Sequence, residues 1–288
     1  MNALWLRGVR LFLLWALGWA AFAAGAQSTV EFESLDRRGG TPVLLKAFWL
    51  PAPAPALAGP RPAVALFHGC GGPYDRQGRL SQRMRDYAAL LHGQGMHALV
   101  VDSLTPRGER ELCTQRIGTR AVTQANRRLD ALAAVAWLAL RDDVDDRRIG
   151  MLGWSHGGST VLAATNLRHR EVAAHAVRPA FAVAFYPGCE AELIRGYEPG
   201  SRLLMLVGEA DDWTPAATCR SLVQSAAEPK PAIETYAGAY HGFDSVLPVR
   251  LRRDVPGGAN PGQGVHVGGD PQALKMSRER LLRFLGEQ

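Results

Sequence analysis

Along the chain, short apolar runs bounded by glycine or polar residues alternate with longer stretches whose apolar positions recur every three or four residues. The short runs predict strands at Val43–Leu50, Ala63–Phe67, Ala98–Val101, Arg148–Leu152, Phe181–Phe185, Leu203–Val207 and Ala232–Tyr236, after a β-like start over Thr29–Glu33. The longer stretches predict helices at Leu80–Gln94, Thr123–Arg141, His156–Leu167, Pro215–Ala226 and Gln272–Leu285. Within Thr123–Arg141 the apolar stripe includes Leu129, Leu132, Ala133, Ala136 and Leu140, with Trp137 beside it as a core residue. Strands and helices in alternation imply an α/β fold: a mostly parallel sheet of about eight strands with helices on both faces. The proline-rich stretch Pro51–Pro60 can neither donate ladder hydrogen bonds nor form helix, so it reads as a surface connection. The glycine-rich piece Pro256–Gly269 reads as a mobile loop with no phosphate-binding fingerprint.

The N-terminus changes the picture of where the protein works. Arg7 and Arg10 precede an apolar run from Leu11 to Ala23, and Ala24, Gly25 and Ala26 follow. That order is a secretory signal peptide, cleaved after Ala26 or after Ala23, and the run is too short to span a bilayer. Residues 1–26 are therefore expected to be removed and residues 27–288 to form a single α/β domain, periplasmic or secreted, without stable membrane insertion. The chain of 288 residues carries a formal charge of +6 with its basic residues dispersed. No basic block suggests a nucleic-acid footprint. All four cysteines, Cys70, Cys113, Cys189 and Cys219, lie beyond the signal. In an exported chain an even count favours disulfides, and no spacing suits a zinc site, so no metal and no cofactor are expected.

The candidate chemistry centres on GMLGWSHGGS, residues 150–159. Ser155 directly follows a predicted strand and precedes a helix, with Gly153 and Gly157 two residues away on either side. This is the setting of a nucleophile elbow, where a strained turn exposes the hydroxyl and leaves no room for a neighbouring Cβ. A serine needs a base and the base an orienting acid. Downstream, GEADDWTP ends a strand with Asp211 and Asp212, and AYHGFD places His241 just past another. Parallel α/β sheets carry their sites at the C-terminal strand ends, and the order serine, acid, histidine is that of a triad on an α/β-hydrolase sheet. Asp211 is preferred to Asp212, which would face the turn or cap a helix, and Asp244 ranks third. Oxyanion donors are expected from the N–H of His156 and from the loop HGCGG after Phe67, with Cys70 ahead of Gly71.

The remaining polar residues carry plainer expectations. The side chain of His156 reads as a structural neighbour, and His68 as a residue that fixes the oxyanion loop. Arg107 could clamp a substrate carboxylate or serve structurally. Trp154 and Trp213 read as packing residues. Cys70 and Cys113 fall in loops at one sheet edge. Cys189 follows a strand while Cys219 lies in the first turns of the helix after the neighbouring strand, again at that edge, so the pairs expected are Cys70–Cys113 and Cys189–Cys219. Other pairings would cross the nucleophile strand.

The set HGCGG, GWSHGG, GEADDWTP and AYHGFD resembles the dienelactone hydrolase family of α/β-hydrolases, over most of residues 43–288. The resemblance implies an eight-stranded sheet and a triad of Ser155, Asp211 and His241. Two departures stand out: the namesake enzymes use a cysteine nucleophile, and they carry a glutamate in the oxyanion loop. A serine in that position suits ordinary ester hydrolysis and puts dienelactone itself in doubt. The function expected is an exported serine hydrolase acting on small carboxylic esters, with lactones or thioesters as close variants. The alternatives are a serine peptidase of prolyl-oligopeptidase-like type and a non-catalytic exported binding protein on the same fold.

Overall fold

The computed structural model describes residues 27–53 and 59–287, so the segment read as a signal peptide, residues 1–26, lies outside the described residues. The strands are β1 (Ser28–Arg38), β2 (Thr41–Leu50), β3 (Arg61–Phe67), β4 (His97–Asp102), β5 (Val144–Trp154), β6 (Phe181–Phe185), β7 (Arg202–Gly208) and β8 (Ala232–Tyr236). They form one eight-stranded sheet in the order β1-β2-β4-β3-β5-β6-β7-β8. The pairings β1–β2 and β2–β4 are antiparallel, and every pair from β4–β3 to β7–β8 is parallel.

The central strands are apolar on both sides because both sides are covered. In β3, Ala63, Ala65 and Phe67 join one core layer, whereas Val64 and Leu66 join the other. Successive side chains of a strand point to opposite faces, so a strand between two helical layers has no position for a polar residue. The first layer is closed by α2 (Gln124–Ala139), α3 (His156–Thr165) and α6 (Ala216–Ser225). The second is closed by α1 (Gln82–Gly93) and α7 (Pro271–Gly286). Two shorter helices, α4 (Arg170–Ala173) and α5 (Glu190–Arg195), were not foreseen, since neither is long enough to show a helical period.

Three further departures from the sequence reading have physical causes. β5 starts at Val144, ahead of a polar lead-in at Asp145–Arg148 that hydrophobic pattern cannot register. In α2 the expected stripe is shifted: Leu140 caps the helix and is 85% exposed, while Arg127 and Asp130 are fully buried. The stretch Pro256–Gly269 is not one loop throughout, because β10 (Val265–Val267) pairs antiparallel with β9 (Arg250–Arg252). That hairpin sits beside the site, and Val267 bridges to His241.

Candidate active site

Ser155 occupies the turn between β5 and α3 with φ 54° and ψ −119°, a region that side-chain-bearing residues seldom enter. The glycines explain how the turn closes. A Cβ on Gly153 would stand 2.2 Å from the Gly157 carbonyl oxygen, and one on Gly157 would stand 1.9 Å from that of Phe67. The turn is pinned from its other side by the Ser155 N–H, which donates to the Phe185 carbonyl at 2.9 Å.

The Ser155 hydroxyl lies 2.8 Å from His241 Nε2, and His241 Nδ1 lies 2.8 Å from Asp211 Oδ2. A carboxylate only accepts, so Nδ1 carries the imidazole proton and Nε2 is free to receive the serine proton. Asp211 is fixed in turn: its Oδ1 accepts from the N–H groups of Trp213 at 2.9 Å and Thr214 at 2.8 Å. The Thr214 hydroxyl donates to Oδ2 at 2.9 Å, and its oxygen stands 3.1 Å from His241 Nδ1. The imidazole is held between two aromatic rings, Tyr186 and Trp213, each with its centroid 4.7 Å away.

The three aspartates separate clearly. Asp212 turns from the imidazole to the hairpin, accepting from the His266 N–H at 2.8 Å and pairing with His266 Nδ1 at 2.7 Å. Asp244 accepts from the Arg83 guanidinium at 3.0 and 3.2 Å and from the Tyr186 hydroxyl at 2.7 Å. Only Asp211 meets His241 among them.

A cavity of about 280 Å³ opens beside Ser155, with Cys70, His156, Trp213, Gly257 and Arg120 among its walls. The N–H groups of Cys70 and His156 have no hydrogen-bond partner among the described residues. His68, by contrast, is fully committed. Its Nε2 accepts from the Ser103 N–H at 3.4 Å, which leaves Nδ1–H to donate to the Gly69 carbonyl at 2.7 Å. Burial first, and the nearby Arg127 charge second, push its pKa down to about 3, so it stays a neutral brace of the loop.

The cysteines are bonded as Cys70–Cys113 and Cys189–Cys219. The first joins the loop after β3 to the loop carrying Arg120. Arg107 does not reach the cavity: its side chain is fully buried, bonded to Asp130 and Asp36 at 2.7 Å each. It is therefore a structural residue and not a substrate clamp, since both carboxylates already fill its fork. The arginine that does line the cavity is Arg120, steadied by its Nε on the Gln115 carbonyl at 3.2 Å. Thr214, Tyr186 and Arg127 were missed from sequence. Thr214 alone carried a signal, because a threonine three residues after an aspartate at a strand exit is placed to close a turn on it. Among the described residues no group of His, Cys, Asp and Glu side chains has metal-binding geometry, and no helix is long and apolar enough to cross a membrane.

Comparison with known proteins decides the family. The dienelactone hydrolase family model matches residues 51–287. The chain belongs to the dienelactone hydrolase family. As a member of it, the protein is a hydrolase acting on ester bonds. No curated protein sequence matches this family member. Among solved structures it is similar to a Thermogutta terrifontis esterase with propionate bound, at 19% identity and TM-score 0.61, covering 92% of this chain and 95% of the other. It is also similar to a dienelactone hydrolase-like promiscuous phosphotriesterase from metagenomic libraries, at 20% identity and TM-score 0.60, covering 91% and 99%. A puromycin-hydrolyzing peptidase from Mycobacterium tuberculosis matches at 18% identity and TM-score 0.59, covering 90% of this chain but 40% of that one. At these identities the shared property is the α/β-hydrolase fold.

Proposed function

We propose that this dienelactone hydrolase family member is an exported serine hydrolase, its residues 27–288 a single domain, that cleaves small carboxylic esters through an acyl-enzyme. The observation that carries the reading is the continuous hydrogen-bond line from the Ser155 hydroxyl through His241 to Asp211, opening on a cavity of about 280 Å³. A volume at the lower end of small-molecule pockets favours short acyl and alcohol groups.

In this reading Ser155 Oγ attacks the ester carbonyl as its proton passes to His241 Nε2. Asp211 holds the ring in the accepting tautomer and stabilises the imidazolium that forms. The negative oxygen of the tetrahedral intermediate accepts from the N–H groups of His156 and Cys70, at the N-terminus of α3 where negative charge is favoured. His241 then returns the proton to the leaving alkoxide. In the second half it takes a proton from the water that attacks the acyl-enzyme and hands it to Ser155 Oγ as the acid product leaves. Lactones and thioesters fit the same steps. These steps use protein groups alone, so activity is expected to survive EDTA. Two disulfides in a chain with this N-terminal pattern support export.

The test is labelling with a fluorophosphonate probe followed by peptide mapping. Modification of Ser155, lost on heating the protein beforehand, is the expected result. An unlabelled but folded protein would favour a binding module on this fold.

A further inference from the structure

Two buried arginines, Arg107 and Arg127, differ in their partners. Arg107 is matched by two carboxylates. Arg127, on α2 and fully buried, has no carboxylate within ion-pair distance among the described residues. An uncompensated buried charge is costly, so its retention calls for a reason. Its contacts supply one. One terminal nitrogen donates to the His68 carbonyl at 2.8 Å and the other to His156 Nδ1 at 2.7 Å, while Nε is left without a partner. Asp130 and Asp102 act on it only from farther away, and although burial lowers its pKa to about 10, it remains a cation at neutral pH.

These two contacts reach the two stretches of chain that carry the proposed oxyanion donors. The His68 carbonyl begins the loop that leads through Gly69 to the Cys70 N–H, and His156 carries the second N–H. The same first turn of α3 is tied to α2 again by Gln124, which donates to the His156 carbonyl at 3.0 Å. His156 must accept at Nδ1, because a guanidinium only donates, so its ring is the neutral Nε2–H tautomer. Burial, then the charges of Arg127 and Arg120, keeps its pKa well below the ordinary value.

We propose that Arg127 is a positioning residue of the oxyanion hole: its guanidinium spans the loop of Cys70 and the ring of His156, and sets the spacing of the two N–H donors. It also leaves a buried positive charge unneutralised beside a site whose charge becomes negative only during reaction. Such preorganisation favours the intermediate over the bound ester. The proposal rests on the serine-hydrolase reading, which is tested separately by wild-type hydrolysis of p-nitrophenyl acetate and its loss in Ser155→Ala.

With that activity in hand, kcat, KM and the affinity of a trifluoromethyl ketone, which forms an oxyanion on the nucleophile, are measured in Arg127 variants. Arg127→Met is expected to lower kcat and ketone affinity by one common factor of about tenfold to a hundredfold, with KM nearly unchanged. Arg127→Lys, which keeps the charge and one donor, should recover most of that loss. Adding His156→Ala to Arg127→Met should cost less than about threefold more, because the two side chains act through one contact. A folded Arg127→Met with wild-type kcat, or one whose KM rises at constant kcat, overturns the proposal. If Arg127→Met does not fold, Arg127→Gln decides on the same terms: kcat and ketone affinity lowered by one common factor at unchanged KM support it, and a wild-type kcat or a KM effect alone overturns it.

Discussion

The two halves of the site are held in place by different physics. On the Ser155 side, position is set by backbone crowding. Ser155 sits at φ 54° because Gly153 and Gly157 let main-chain atoms approach to distances a Cβ would forbid. On the Asp211–His241 side, position is set by side-chain hydrogen bonds: Asp211 on two N–H groups and a hydroxyl, His241 on Asp211 and between two rings. Crowding is all-or-none, whereas a hydrogen-bonded arrangement can be weakened by degrees. The first half should therefore fail sharply on substitution, and the second should grade its losses by which partner is removed.

The largest expected effect belongs to Ser155 and His241, the proposed nucleophile and base. Ser155→Ala should lower kcat for p-nitrophenyl acetate by about 10⁴-fold or more at an unchanged Tm, and His241→Ala should match it, with the double variant no worse. Additive losses would show that the two do not act as a unit. The neighbouring aspartates sharpen the contrast next. Asp211→Asn should cost about 10³- to 10⁴-fold in kcat, because the amide disturbs the imidazole tautomer, while Asp212→Asn stays within about tenfold. Steady-state kinetics at matched stability check this, and a reversed order would break the acid assignment.

Smaller effects concern the supports of each half. Removing the paired cation in Arg107→Met strands Asp36 and Asp130 and should lower unfolding stability by about 3–5 kcal/mol, read by denaturant titration. Deleting the Cys70–Cys113 bridge by a double serine substitution should cost about 2–4 kcal/mol. It should also lower activity below the unfolding transition, whereas deleting Cys189–Cys219 should cost stability with less effect on kcat, because only the former bridge carries a proposed oxyanion donor. Equal kinetic losses from both would remove that distinction. The smallest effect is set by His68, whose folded pKa of about 3 lies below its unfolded value of 6.5. Below pH 6.5 the unfolded chain takes up a proton that the folded chain refuses. The His68 contribution is therefore complete above pH 6.5 and is lost progressively as pH falls toward 3. Between pH 7 and pH 5 this amounts to roughly 2 kcal/mol, and that slope should shrink in His68→Gln.

Much of this was legible in the residues. The short apolar runs and the helical periods marked the elements that converge on the site, and the motif order placed Ser155, Asp211 and His241 at strand ends. The four cysteines paired as topology suggested. What escaped was polar chemistry at apolar positions. Arg127 and Asp130 lie on the buried face of α2, where a hydrophobic pattern assigns core, and Leu140 lies in water where the stripe was extended too far. Arg107 and Arg120 are indistinguishable as letters in loops. One is sealed between two carboxylates and the other faces the cavity.

The sequence by itself determined the sheet's strands, the strand-to-helix turn at Ser155 and the order of the proposed triad residues, because these depend on local period, on the missing Cβ of glycine and on chain direction. Only the tertiary structure decided which aspartate meets His241 and which arginine is spent on structure. Those outcomes depend on which distant groups share a buried space, and a side chain's partner there is fixed by the packing of Asp36, Asp130, His156 and His266 from other parts of the chain.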